Sequence, residues 1–529
     1  TMKWRVGFFL LCSFLFACYS KYDNSNLSIF KYNESNGIST LDPAFSNDKA
    51  TIWASSQIFS PLVKMNDNLE VVPLIARKWE ISEDGKKYIF TLRRDVFFHD
   101  HSVFKNGKGR SVVASDFVYS FNRLLSEDLA SSGSWVFNHV EDYYADNDSV
   151  VVIILKNPFP PFLSLLSMQY CSVVPQELAD RPEFRSRPIG TGPFKFQYWK
   201  EGVKLVLRKN ENYFEKENGE RLPKLDAVAI TFIKDKQSEF LSFLQGEIDF
   251  ISGIDPSYKD EILSKYGTLR DKYLEEINLQ SIPFLNTEYL AFLMDGNTVL
   301  SSNKDLRKAI NYAIDKKKML KFIRNNIGVA AESGFVPKGM SSFSDSIKGY
   351  SFDKELSKKH LELAGYPNGE GLSPIVLNTT SAYLDLCEFI QSELKNIGIE
   401  LVVEVNPTST HRQMVSTSKL DFFRSSWIAD YPDAENYLSL FYSKDNWNKG
   451  LNKTHFHSKE FDVLYEKSII ESDFEKRTKM YQELDQIIMN NSVIIPLYYD
   501  QVLRFSHKNI KGFYANAQNL LDLTKVIKE

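Results

Sequence analysis

Between Ser373 and Ser443 the chain switches repeatedly between two periodicities, and this alternation restricts the fold more than any other feature. Pro374-Ile-Val-Leu-Asn-Thr379 is a short apolar run of strand composition. Leu384, Cys387, Leu394 and Ile397 then recur on one face of a helix, which Gly398 ends. Glu400–Val405 is a second strand, and another short helix precedes a third, Asp421–Trp427. Strands alternating with helices of about ten to fifteen residues build βαβ units, so the spacing predicts a parallel, doubly wound α/β sheet.

The third strand carries the chemistry. Phe422, Arg424 and Ser426 alternate with Phe423, Ser425 and Trp427, the two-residue period of a pleated strand. Tyr431-Pro-Asp433 ends the run, because proline cannot donate to a ladder. Arg424 therefore lies on the strand, and Asp430 lies just past its C-terminal end with Trp427 and Tyr431 beside it. Ligands of open α/β sheets sit outside the carboxyl ends of strands. The stretch is read as half of a binding site for a molecule carrying both an amine and a carboxylate. A buried ammonium requires a partner, and arginine's fork suits a carboxylate. The alternative is an internal ion pair of Arg424 with Asp430 or Asp433.

At 529 residues the chain is too long for one core, so two to four domains are expected. Lys and Arg number 64 against 68 Asp and Glu, a balance that argues against nucleic acid as a partner. Four cysteines, Cys12, Cys18, Cys171 and Cys387, make no disulfide framework, and the last two read as buried free thiols.

A short strand opens at Ile29. Trp79-Glu-Ile81, the turn at Glu83-Asp-Gly85 and Lys87–Arg93 form a hairpin, and Val96-Phe-Phe-His99 is the next strand. Phe117, Phe121, Leu124 and Leu125 mark one buried face of a helix. Gly190-Thr-Gly192 leads into an alternating strand and not a helix, so it is a tight turn and no phosphate cradle. Ser238–Gln245 is a helix stopped by Gly246, Glu475–Met489 a long helix, and Ser492–Tyr499 a buried strand.

Leu41-Asp-Pro-Ala44, Pro73-Leu-Ile-Ala-Arg-Lys-Trp79, Asp84–Arg93, Val96-Phe-Phe-His-Asp100 and Ala114-Ser-Asp-Phe-Val-Tyr-Ser-Phe121 occur in succession. Gly190-Thr-Gly-Pro-Phe194, Gln245-Gly-Glu-Ile-Asp249, Leu306–Asp315 and Trp427-Ile-Ala-Asp-Tyr431 follow. The series resembles the extracellular solute-binding proteins of family 5, the oligopeptide- and dipeptide-binding components of ABC importers, over nearly the whole mature chain. Two departures are an insertion from His101 to Val112 and Val113 in place of a capping threonine; both are expected to alter a peripheral loop.

The resemblance implies a periplasmic-binding-protein fold of the cluster C type: two α/β lobes joined by a hinge, plus an extra domain. Lobe I takes residues 27–61, 184–278 and 497–529, domain II 62–183, and lobe III 279–496. It implies hinge closure around an oligopeptide and delivery to permease subunits by a monomer without a cofactor. Asp430 corresponds to the family's ammonium-binding aspartate, Arg424 to an arginine that can meet the ligand carboxylate, and Trp427 to the aromatic between them. Thr298 and Tyr383 fall where some members carry carboxylate-binding Lys or His. The family also includes binders of oligosaccharides and of nickel chelates, which leaves a non-peptide ligand as the alternative.

Lys3 and Arg5 precede thirteen largely apolar residues, Val6–Cys18, too few to span a bilayer but suited to a signal peptide. Leu15-Phe-Ala-Cys18 resembles a bacterial lipobox. Cys18 is thus the expected lipidation site, with 1–18 the signal peptide, 19–26 a tether, and a membrane-anchored location in the periplasm or cell envelope; simple cleavage is the alternative. His99-Asp-His101 and His455-Phe-His457 lack the companions of a metal shell and read as surface loop histidines. Catalytic motifs are missing from the sequence, and Asp430 and Asp433, three residues apart across a proline turn, read as capping or ion-pair groups, leaving hydrolysis a remote reading.

Overall fold

The computed structural model describes residues 27–444 and 450–529, so Cys18, the signal segment and the tether lie outside the described residues. The elements that position the site begin with β1 (Ile29–Asn33) and α1 (Lys49–Ile58). Next come β2 (Ala76–Ile81), β3 (Lys87–Leu92), α2 (Ala114–Leu125), β4 (Val140–Asn147) and β5 (Val150–Leu155). β6 (Phe194–Lys200), β7 (Lys204–Lys209), β8 (Ala227–Thr231), α3 (Lys236–Leu244) and β9 (Phe250–Ser252) follow. The remainder is β10 (Ile277–Phe292), α4 (Lys316–Ile323), β11 (Ile375–Thr379), α5 (Leu384–Lys395), β12 (Leu401–Val405), α6 (Thr408–Ser416), β13 (Phe422–Ile428), α7 (Phe474–Asn491) and β14 (Ile494–His507).

One sheet runs through both lobes in the order β12-β11-β13-β10-β14-β9-β1-β8-β7-β6, with Val329–Ala330 added against β14. The expected parallel core is present: β11 pairs in parallel with both β12 and β13. The sheet as a whole is mixed, however, because β13 then meets β10 in antiparallel register. The reason lies in β10, whose 16 residues span about 50 Å and cross from one lobe to the other. β10 and β14 run antiparallel over almost their whole length. One end of the pair borders β13 and the other borders β9. The boundaries expected at 278/279 and 496/497 fall inside these continuous strands. The ladder itself breaks later, between Pro283 and Thr287.

Residues 76–155 supply a separate antiparallel sheet, β2-β3-β5-β4, built on the Asp84-Gly85 hairpin. Its core is continuous with that of the first lobe, since Phe90, Phe117 and Phe121 belong to one buried cluster with Phe30, Trp53 and Phe250. Leu125 departs from the expected buried face and is 39% exposed. Val96–His99 does not form the expected strand. Phe97 makes a single bridge to Ser111, and His99 bends inward to another task. Val113 caps α2 without a side-chain bond, and Asp116 compensates by accepting the Val113 N–H at 2.9 Å. Arg110, from the insertion, grips the same carboxylate at 2.7 and 2.8 Å.

In the second lobe the β13 alternation separates two cores. Phe422 joins Leu290, Phe292 and Leu386 on one face, while Phe423 joins Tyr437, Phe441 and Leu484 on the other. Cys171 and Cys387 are free and buried. None of the described helices is long and apolar enough to cross a membrane.

Candidate functional site

Past the end of β13 the chain is fixed by one amide. Asn436 Oδ1 accepts Trp427 Nε1–H at 2.9 Å and the Asp430 N–H at 3.1 Å. The Tyr437 hydroxyl reaches the carbonyls of Leu285 and Trp427 at 2.7 and 3.0 Å, tying this strand end to β10. From the first lobe Gln518 donates to the Asp430 carbonyl at 3.1 Å. The Asp430 carboxylate itself hydrogen-bonds, among the described residues, only with Asn436 Nδ2, at 3.4 Å. Among the described residues no cation forms an ion pair with it. Asp430 is solvent-accessible but hemmed in by protein, and this crowding raises its pKa against the opposing pull of Asn436.

Asp430 overhangs a cleft of about 250 Å³ whose other walls come from the first lobe and the extra domain. Phe59, Met168 and Leu521 give it apolar sides, and Lys64, Asp67 and Asp522 line it further along. The Lys64 ammonium is already bound by Glu215 at 2.8 Å. Tyr431 is 5% exposed, packs near Trp135 and gives its hydroxyl to Glu435. Tyr465 donates to the same Glu435 at 2.5 Å. Asp433 caps its own turn, accepting the Glu435 N–H at 2.9 Å, and lies 4.0 Å from Arg477.

Arg424 emerges on the opposite face of the sheet from Trp427, as the alternation requires. Its partner is neither Asp430 nor Asp433 but Glu288 of β10, with Nη1 to Oε2 at 2.8 Å. Glu288 pairs in register with Ser426, so Arg424 is its diagonal neighbour across the two strands. The guanidinium also lies over the Tyr383 ring, 3.5 Å from its centroid. Burial pushes the Glu288 carboxyl pKa up, and Arg424 opposes that shift. Thr298 takes no part in this cluster; among the described residues its buried hydroxyl has no hydrogen-bond partner. Sequence reasoning missed Glu288 because nothing local in Asn286-Thr-Glu288 marks it; only the strand register brings it to Arg424.

The Gly190–Gly192 turn packs against the end of α1. A Cβ on Gly190 would sit 2.0 Å from the Ile58 carbonyl oxygen, and one on Gly192 2.5 Å from the Ile58 carbonyl carbon. His99, expected at the surface, is buried and clamps this turn. Its Nδ1 accepts the Gly190 N–H at 3.3 Å, and Nε2 donates to the Gly192 carbonyl at 3.0 Å. Burial lowers its pKa to about 4, so the imidazole is neutral. His455 is also largely covered, bridging Ser418 and Asp295 at 2.8 Å on each side. The order matches a hydrolytic triad, but Asp295 is 46% exposed, where water screens its charge. His101 and His457 remain at the surface. Among the described residues no three His, Cys, Asp or Glu side chains converge on a metal position.

A cleft between two α/β lobes on a shared sheet, with a carboxylate at its wall, defines a solute-binding protein of the periplasmic type. Residues 70–449 match the family described as bacterial extracellular solute-binding proteins, family 5 middle, and the chain belongs to that family. It is 28% identical to heme-binding protein A of Haemophilus influenzae over 485 residues, covering 87% of this chain and 85% of the relative. It is 24% identical to the dipeptide-binding protein of Escherichia coli over 497 residues, covering 89% of each. Among solved structures, the ABC transporter-associated periplasmic binding protein DppA of Helicobacter pylori, in complex with the peptide STSA, superposes with a TM-score of 0.78 at 25% identity. That superposition covers 95% of this chain and 98% of DppA.

Proposed function

We propose that the protein captures oligopeptides in the cleft beside Asp430 and hands them to the permease of an ABC importer. The carrying observation is Asp430 itself: a crowded, accessible carboxylate without a cationic partner among the described residues, held at the cleft wall by Asn436. Such a group is compensated by a ligand ammonium that enters and is desolvated with it. The relatives named for dipeptide binding and the peptide-bound DppA support the same ligand class.

In this reading Trp427 forms a wall of the ligand site, and Tyr431 braces the turn against Trp135. The lobes close about β10 and β14, where the ladder breaks between Pro283 and Thr287. Closure is stabilised only by contacts that the ligand makes better in the closed form. Strand-like hydrogen bonds to the peptide main chain make recognition indifferent to sequence. Delivery is by a monomer tethered through lipidated Cys18, with lobe I, domain II and lobe III as the moving units.

Calorimetry with short peptides and their N-acetylated forms tests the assignment. The free peptides bind and the acetylated forms do not. Indifference to all peptides, with binding of haem or a metal chelate, would overturn it.

A further inference from the structure

The C-terminal segment past β14 returns to the cleft and meets Asp430 from the opposite lobe. Asn516, Gln518, Leu520 and Leu521 line the cleft together with Asp430. The segment is pinned on both sides of Gln518. Before it, the Ala517 carbonyl accepts the Leu285 N–H of β10 at 2.8 Å. After it, Asn519 stands in the left-handed region at φ +55°, a conformation that asparagine tolerates. The Asn519 carbonyl accepts Trp53 Nε1–H at 2.8 Å, and its Oδ1 accepts two donors of Arg504 at 3.1 and 3.2 Å. Its Nδ2 donates to Ser252 Oγ at 3.0 Å. Gln518 is thus carried into the cleft on a fixed backbone.

The orientation of its amide follows from its partners. Gln518 Nε2 donates to the Asp430 carbonyl at 3.1 Å and lies 3.4 Å from that of Ala429. Carbonyls only accept, so the nitrogen must face this turn and Oε1 is directed away from it. Among the described residues no group donates to Oε1, which is not sealed in the interior but left open. The cleft is therefore offered a charged acceptor by Asp430 and a neutral one by Gln518. A primary ammonium carries three N–H donors, more than one carboxylate takes up. A neutral oxygen satisfies another of them without adding charge, so one ligand cation is still balanced by one carboxylate.

We propose that Gln518 is a further ligand-binding residue of this site: its Oε1 accepts an N–H of the peptide's N-terminal ammonium while Asp430 carries the opposing charge. The proposal rests on the peptide reading above. The ligand's N-terminus then bridges the lobes, because Asp430 belongs to one and Gln518 to the other.

Calorimetry compares trialanine with its des-amino analogue, propionyl-dialanine, on the full chain and on Gln518→Met, which keeps the side chain's length but neither amide function. The unaltered protein binds trialanine more than about tenfold tighter than the analogue. Gln518→Met weakens trialanine about tenfold, the loss of a hydrogen bond to a charged group, and leaves the analogue unchanged. Equal binding of the two ligands by the unaltered protein, or binding of neither, overturns the peptide reading and this inference with it. A Gln518→Met variant that weakens both ligands alike, or neither, overturns this inference alone. The Asp430→Asn background separates contact from positioning. There Gln518→Met still weakens trialanine about tenfold, because Oε1 touches the ammonium itself. No further loss in that background makes Gln518 act only through Asp430 and overturns the contact.

Discussion

Asp430, just past the end of β13, and Glu288, on β10 opposite Ser426, have opposite circumstances. Both carboxyls are pushed up in pKa by burial. Glu288 is inside the lobe and holds an arginine at 2.8 Å, whereas Asp430 faces the cleft with one neutral amide at 3.4 Å. On the proposed reading, the difference separates structure from function. A charge compensated within the fold holds strands together, and one left uncompensated at a cleft awaits a ligand. Arg424 reads as a ligand group from its position on the strand, and in the structure its guanidinium is already held by Glu288 of β10.

The largest effect that breaks this comparison is on binding. Asp430→Ala is expected to lower peptide affinity by about 3–5 kcal/mol, because it leaves the ligand ammonium buried and unpaired. That is roughly two to three and a half decades in Kd, readable by calorimetry. Its thermal midpoint stays close to the unaltered value, since the one internal bond lost, from Asn436 Nδ2, is long at 3.4 Å. Loss of affinity below tenfold ends the anchor assignment. Arg424→Leu gives the reverse pattern, lowering stability by about 3 kcal/mol in denaturant titration by leaving Glu288 buried without its cation. An unchanged unfolding midpoint in that variant shows the pair to be dispensable.

Acidity sharpens the same contrast. An ammonium is held only by the ionised Asp430, so affinity is full above its pKa and is lost as pH falls through it. Because crowding raises that pKa, the loss begins above the range of an ordinary exposed aspartate. The Asp430→Asn variant binds weakly with a flat profile over this window, and a flat profile in the unaltered protein removes Asp430 from the titration. His99→Ala is expected to cost about 1–3 kcal/mol of stability by stranding the Gly190 N–H in a buried turn, while the Gly192 carbonyl keeps its bond from Asn210 Nδ2 at 3.0 Å. Affinity measured below the melting range does not move with it. The smallest effect is Asn436→Ala, about 1 kcal/mol in binding, as the Asp430 backbone and Trp427 lose a shared acceptor.

Much of this was legible before any fold was drawn. The two-residue period of Phe422–Trp427 determined which side chains share a face, because a strand has no other choice. The proline turn determined that Asp430 lies beyond the ladder. Gly190-Thr-Gly192 marked a close approach, and the alternation from Ser373 marked parallel strands. What each charge meets was decided by tertiary structure alone. Glu288 lies 136 residues before Arg424, and their meeting depends on β10 lying antiparallel beside β13 in one register. His99 read as a surface loop histidine until the turn it clamps, more than ninety residues later in the chain, closed over it. Local sequence fixes direction and face because these follow from backbone geometry. Partners separated by a hundred residues follow only from how the strands pack, and whether a charge is satisfied or left for a ligand is a property of those partners.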